Sequence, residues 1–174
     1  MTTEPQAWIG CLAAYNAGHL HGRWVDLLDE DDLADDCKKI LASSPVDDAE
    51  ELWVMDHEGL PISGECSPAE ALRLGLIVHA FEDKGFGLEI VTFAMDQIRS
   101  DGLAELLEYV ENNYAGHYED AESLAYGVCE NMGWEAPAWA IHFIDYKAMG
   151  ESLLVNDYNH VELNSGGIAV FYSQ

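Results

Sequence analysis

An α+β fold, drawn out as an elongated chain of three small subdomains, is what the sequence predicts, and three observations predict it. Apolar residues alternate in short runs between turn residues near both ends, the signature of antiparallel sheets. Between those ends they recur every three or four positions, the signature of helices packed through one face. Finally, 49% of the 174 residues are hydrophobic, enough to bury a core, while 33 acidic residues face 7 basic ones and recur in every segment instead of forming one tail.

The first subdomain is expected over residues 1–63. Ala7 to Ala13 reads as a strand, Asn16-Ala17-Gly18 as a turn, and Arg23 to Leu27 as a returning strand. Asp29 is placed to cap a helix whose Leu33, Cys37, Ile40 and Leu41 share one face, with Asp31, Asp32, Asp35 and Asp36 on the other. After a second acidic cluster, Asp47 to Glu51, the run Leu52-Trp53-Val54-Met55 reads as a strand able to pair with the hairpin before the break at Gly59-Leu60-Pro61.

Residues 64–115 are expected to form a helical middle subdomain. Ser67-Pro68-Ala69-Glu70 is a capping box with proline at the first helical position, opening a helix with apolar residues all round that stops at Gly85. Leu88, Val91, Met95 and Ile98 mark a second helix; Leu103, Leu106, Leu107 and Val110 mark a third, opposed by Glu105, Glu108 and Glu111. Tyr114-Ala115-Gly116 reads as the break that opens the C-terminal α+β subdomain, 116–174. There a helix over about 119–132 is predicted to carry Glu119, Asp120 and Glu122 in its first turn, where the helix dipole favours carboxylates. A further helix spans Trp139 to Leu154, and Tyr158 to Leu163 and Ile168 to Tyr172 flank the hairpin turn Asn164-Ser165-Gly166-Gly167.

A formal charge of −26 repels nucleic acid and anionic membranes, so it argues against direct binding to either and for a positively charged partner. Duplex DNA carries one charge per about 1.7 Å, so 26 charges correspond to roughly 44 Å of duplex, about 13 base pairs. Cys11, Cys37, Cys66 and Cys129 form no C-x-x-C pair, and Met1-Thr-Thr-Glu-Pro lacks the basic and apolar regions of a signal peptide, which together point to a reduced, cytoplasmic protein. No apolar run approaches the 18 or so residues of a membrane span.

The stretch Leu12-Ala-Ala-Tyr-Asn-Ala-Gly-His-Leu-His-Gly-Arg-Trp-Val-Asp26 resembles the opening signature of the ArdA-type antirestriction proteins, which mobile elements make to protect incoming DNA. The likeness continues at Trp53-Val-Met-Asp-His-Glu-Gly59, Tyr118-Glu-Asp-Ala-Glu-Ser-Leu-Ala125, Ile144-Asp-Tyr-Lys-Ala-Met149, Asn156-Asp-Tyr158 and Gly166-Gly-Ile-Ala-Val-Phe171, while residues 63–115 match only in helical, acidic character. The resemblance implies a homodimer of elongated chains that imitates bent B-form DNA, needs no cofactor, and inhibits type I restriction-modification enzymes. In this reading ordered carboxylates replace phosphates along the groove of the methyltransferase and specificity subunits. Lacking base edges, the mimic would be broad in the enzymes it inhibits.

The expected phosphate surrogates are Asp29, Glu30, Asp31, Asp32, Asp35, Asp36, Asp47, Asp48, Glu50, Glu51, Glu105, Glu108, Glu111, Glu119, Asp120 and Glu122. Two other readings of the same charge compete: a module that mimics DNA toward some other basic DNA-binding protein, and adaptation to high salt with no mimicry. His19 and His21 form an H-x-H pair able to ligate a metal with Cys11, His57 or Glu58, but their turn-rich surroundings favour hydrogen bonds to backbone. Asp29-Glu-Asp-Asp32 lacks the alternating ligands and central glycine of an EF-hand, so no metal is expected there. Cys11 with a nearby histidine is conceivable as a nucleophile, yet no oxyanion-stabilising loop accompanies it, so no catalytic residues and no enzyme are expected. Arg23 is expected to pair with an acid such as Asp26, and the five tryptophans, Trp8, Trp24, Trp53, Trp134 and Trp139, to anchor the core or a subunit interface.

Overall fold

A computed structural model describes residues 4–173 of the protein; Met1 to Thr3, on which part of the signal-peptide reading rests, lie outside the described residues. Among the described residues, seven α-helices and two three-stranded antiparallel sheets make up an α+β fold, as the apolar patterning predicts. The chain forms two compact units, one reaching to Met95 and one beginning at Asp96. No helix of the described residues is long and apolar enough to cross a membrane.

In the first unit β1 (Gln6–Cys11) is the central strand, with β2 (Gly22–Asp26) on one side and β3 (Leu52–Glu58) on the other. Both pairings are antiparallel, Ile9 lying opposite Arg23 in β2 and Val54 in β3. Ala7, Ile9 and Cys11 alternate inward with Val25 and Val54, all essentially inaccessible. The connection from β1 to β2 is more than the expected turn, because Leu12-Ala-Ala-Tyr-Asn16 winds into a one-turn helix, α1. Leu12, Ala13 and Ala14 are strong helix formers, which favours the turn of helix there.

Helix α2 (Glu30–Ala42) starts where Asp29 caps it: the Asp29 carboxylate accepts from the backbone N–H of Asp31 at 2.8 Å and of Asp32 at 3.0 Å. Leu33 and Ile40 are its buried residues, and Cys37 and Leu41 sit half-buried beside them. Helix α3 (Pro68–Glu82) starts as predicted, with Ser67 Oγ accepting from Glu70 N at 3.2 Å and Pro68 in the first turn. The Glu70 carboxylate does not close the box; it turns to Arg73, 2.7 Å away. Ala71, Leu72, Leu74, Ile77, Val78 and Phe81 are buried, so α3 forms the centre of this unit's core against β1 and β3. In α4 (Leu88–Ile98) the buried set is Ile90, Val91 and Ala94, rotated from the face expected through Leu88, Met95 and Ile98.

The second unit is built on β6 (Ile168–Tyr172), which lies between β4 (Tyr114–Tyr118) and β5 (Tyr158–Glu162). The predicted C-terminal hairpin is present as β5 and β6, Asn159 opposite Phe171. Strand β4 is a correction: Tyr114-Ala115-Gly116, expected as a break, runs straight out of α5 (Leu103–Asn113) into a strand with a register shift between Tyr114 and Gly116. Two helix boundaries also move. Helix α6 covers Ala121–Asn131, with Asp120 as its cap instead of a first-turn residue: Asp120 accepts from Ser123 N at 2.8 Å while Ser123 Oγ accepts from Asp120 N at 3.0 Å. The helix expected from Trp139 divides into a 3-10 turn, Ile141–Phe143, and α7, Tyr146–Asn156, because Asp145 caps a fresh start by accepting from Ala148 N at 2.9 Å.

Helices α6 and α7 pack closely enough that a Cβ on Gly150 would lie 1.7 Å from the Ala121 carbonyl oxygen, so only glycine fits there. Tyr126 and Tyr146 stack across the same pair, ring centres 4.1 Å apart. On one face of β6, Ile168 and Val170 join Leu124, Leu153 and Leu154. On the other, Phe171 stacks on Tyr109 of α5 at 6.1 Å and meets Tyr114 edge-on at 5.5 Å.

Candidate partner-binding surface

Of the sixteen predicted phosphate surrogates, ten lie in the first unit and six in the second. On α2, Glu30, Asp31, Asp32 and Asp35 are exposed around the capping Asp29, and Asp47, Asp48, Glu50 and Glu51 are exposed on the segment that leads into β3. In the second unit Glu105, Glu108 and Glu111 are exposed on α5, and Glu119, Asp120 and Glu122 are exposed at the start of α6.

The exception is Asp36, which is only half-exposed and internally engaged. Arg23 Nη1 donates to its Oδ1 at 2.9 Å, and Lys39 Nζ donates to the same oxygen at 2.9 Å. Arg23 therefore pairs with Asp36, not with Asp26, whose carboxylate accepts from Gln6 Nε2 at 2.7 Å. The hydrogen bond from Lys39 is the main reason the Asp36 carboxyl is held below its ordinary value, helped by the nearby Arg23 charge. Asp35 is likewise held down, chiefly by its 3.0 Å hydrogen bond from Lys38. Three of the chain's 7 basic residues thus gather on Asp35 and Asp36, and α2 offers its uncompensated negative charge at Glu30, Asp31 and Asp32.

Spacing shows what one element can do. Glu105, Glu108 and Glu111 recur every three residues, about 4.5 Å apart along the helix axis, against one charge per about 1.7 Å along a duplex. Helix α5 by itself therefore falls short of the charge density of DNA, whereas the consecutive Glu30, Asp31 and Asp32 of α2 match it over one turn. Acids on strands add to it: Asp26, Asp56 and Glu58, none of them among the sixteen expected surrogates, are exposed on the first sheet. The signal was present in the two-residue spacing of Asp56 and Glu58, within a run read only as far as Met55.

Of the remaining candidate groups, His21 and Cys11 have local structural partners. His21 Nε2 lies 2.8 Å from the Ile40 carbonyl oxygen, which ties β2 to the end of α2. Cys11 is buried with its sulfur 3.6 Å from Ser44 Oγ, and burial pushes the Cys37 and Cys66 thiols up, away from the thiolate a nucleophile needs. Among the described residues no group of three or more His, Cys, Asp or Glu is arranged to hold a metal ion. None of the five tryptophans belongs to the buried core: Trp24, Trp53, Trp134 and Trp139 are exposed and Trp8 is half-buried, which corrects the expectation of core anchors.

A family model described as antirestriction protein (ArdA) matches residues 7–166, nearly the whole chain. No curated protein matches it.

Proposed function

Because the chain belongs to the ArdA family of antirestriction proteins, we propose that it acts without catalysis, as a mimic of DNA that occupies the DNA-binding groove of a type I restriction-modification enzyme. The observation that carries this reading is the distribution of charge. Carboxylates are exposed on α2, on the segment before β3, on α5 and at the start of α6, while three of the 7 basic residues gather on one pair of acids, Asp35 and Asp36. A basic groove evolved to hold phosphates gains the same release of condensed counterions from such a surface as from a duplex. The fifteen surrogates other than Asp36 stand where a partner can reach them. The methyltransferase and specificity subunits are the proposed targets, and the acting form is a homodimer, doubling the length of duplex imitated.

Phosphate-like contacts position a protein on DNA, whereas base edges specify sequence, so a mimic of the former should act on enzymes with different target sites. Titrating the protein into a type I methyltransferase bound to labelled duplex, at low and moderate salt, tests the proposal. Displacement that weakens as salt rises is expected. Equal displacement of a nucleoid protein would identify a general mimic of DNA, and displacement of neither would leave adaptation to salt as the account of the charge.

A further inference from the structure

The outer face of the first sheet is not a solvated polar face. Trp8 of β1 and Trp24 of β2 are directly opposite each other, and Trp53 of β3 stands opposite Gly10. With Leu12, Tyr15, Met55 and neighbouring residues they line a groove of about 540 Å³, within the range of small-ligand sites. Two features build it. Gly10 pairs with Gly22, and a Cβ on Gly10 would lie 2.6 Å from the Trp8 ring and 2.8 Å from the Met55 sulfur, so the glycine leaves the floor over which both side chains lie. A bulge shifts the register so that Trp8 pairs with Asp56 and Ile9 with Val54, which brings Met55 and Asp56 to the groove together. Asp56 and Glu65 supply its carboxylates.

We propose that this groove receives the guanidinium of an arginine side chain presented by a basic protein; the identity of that protein as a DNA-binding partner rests on the function proposed above. Aromatic faces attract a cation held over them, and arginine, planar and weakly hydrated, stacks on indole while its fork meets carboxylates. Three indoles, a phenol and two carboxylates are the groups that chemistry asks for. A second copy of a chain carrying −26, or a nucleotide, would bring negative charge against Asp56 and Glu65. The groove would give an acidic surface that otherwise reads only charge one point at which it reads side-chain shape.

The test uses the indole N–H resonances of the full-length protein, assigned through single Trp→Phe substitutions. A short neutral peptide with a single arginine is added at about 0.15 M salt, where charges more than about 8 Å apart are screened. Saturable shifts of the Trp8, Trp24 and Trp53 signals are expected, with Trp134 and Trp139 unmoved, no response to the citrulline version, and a weaker response to the lysine version. Replacing Trp24 and Trp53 by Ala should weaken binding about 5- to 30-fold, and Asp56→Asn with Glu65→Gln should weaken it with both exposed indoles intact. The proposal is overturned if the three signals do not move, if citrulline moves them equally, or if they move on dilution alone, which would make a second copy the occupant. Unmoved indoles in a protein that still displaces duplex from the methyltransferase would sink the groove and spare the mimicry; moved indoles without displacement would do the reverse.

Discussion

The two sheets share a plan, three antiparallel strands with a strand from one end of the chain in the middle, but their central strands live in different surroundings. Strand β6 is covered on both faces: Ile168 and Val170 meet helices α6 and α7, and Phe171 meets Tyr109 of α5. Its sequence, Ile-Ala-Val-Phe-Tyr, is accordingly apolar without alternation. Strand β1 is covered on one face only, and its outward positions, Gln6, Trp8 and Gly10, are not the charged residues that line the rest of this molecule's surface. Stability explains the first pattern. The second, a tryptophan lying over a glycine on an exposed sheet, contributes little to the core and makes sense as a surface kept for a ligand.

The largest expected effect separates the two strands. Phe171 is fully buried, so Phe171→Ala should cost about 3–5 kcal/mol in denaturant unfolding, whereas Trp8→Ala, at a half-buried outward position, should cost clearly less. Equal losses would mean that the outer face of the first sheet is core after all. Next comes Gly150→Ala, which should lower stability by about 2 kcal/mol, since the added methyl meets the Ala121 carbonyl and α6 and α7 must move apart. The same measurement showing no loss would break the close packing that sets the second unit apart.

What the sequence disclosed follows the range of the interactions. Helix starts at Asp29 and Ser67 and the hairpin around Gly166-Gly167 were legible because each is decided within a few residues. Strand β4 was not: Gly116 reads locally as a break, and the strand exists because β6, some fifty residues on, supplies its hydrogen bonds. The same holds for the candidate surface. Its acidity is written in the composition, but the pairing of Arg23 with Asp36 brings together a strand and a helix, and the groove needs a bulge at Met55 and the Gly10–Gly22 register before its indoles converge.

That distinction between free and paired acids makes a sharper comparison within α2. Changing Glu30, Asp31 and Asp32 together to their amides should weaken displacement of duplex from the methyltransferase about tenfold, if each exposed charge contributes roughly 0.5 kcal/mol. Amides at Asp35 and Asp36 should weaken it less, because Lys38, Lys39 and Arg23 already offset those charges. The reverse ranking would show that the partner displaces the internal cations and reads the pair directly.

The smallest effect concerns Arg23 itself. Its bond to Asp36 ties β2 to α2, but the Arg23 side chain is 48% exposed and Lys39 remains on the same oxygen, so Arg23→Ala should cost only about 0.5 kcal/mol. The sign of its pH dependence follows from Asp36, whose carboxyl the Lys39 hydrogen bond, with Arg23, holds below the value it has in the unfolded chain. A depressed carboxyl favours folding wherever the unfolded chain's carboxyl is already ionised, and that contribution disappears as pH falls through the folded-state value. The gap in unfolding free energy between wild type and Arg23→Ala should therefore stay constant from neutral pH down to the ordinary carboxylate range and close below it. A gap that instead stayed constant on acidification would place the weight of Arg23 in packing of its aliphatic stem against the sheet edge and not in its charge.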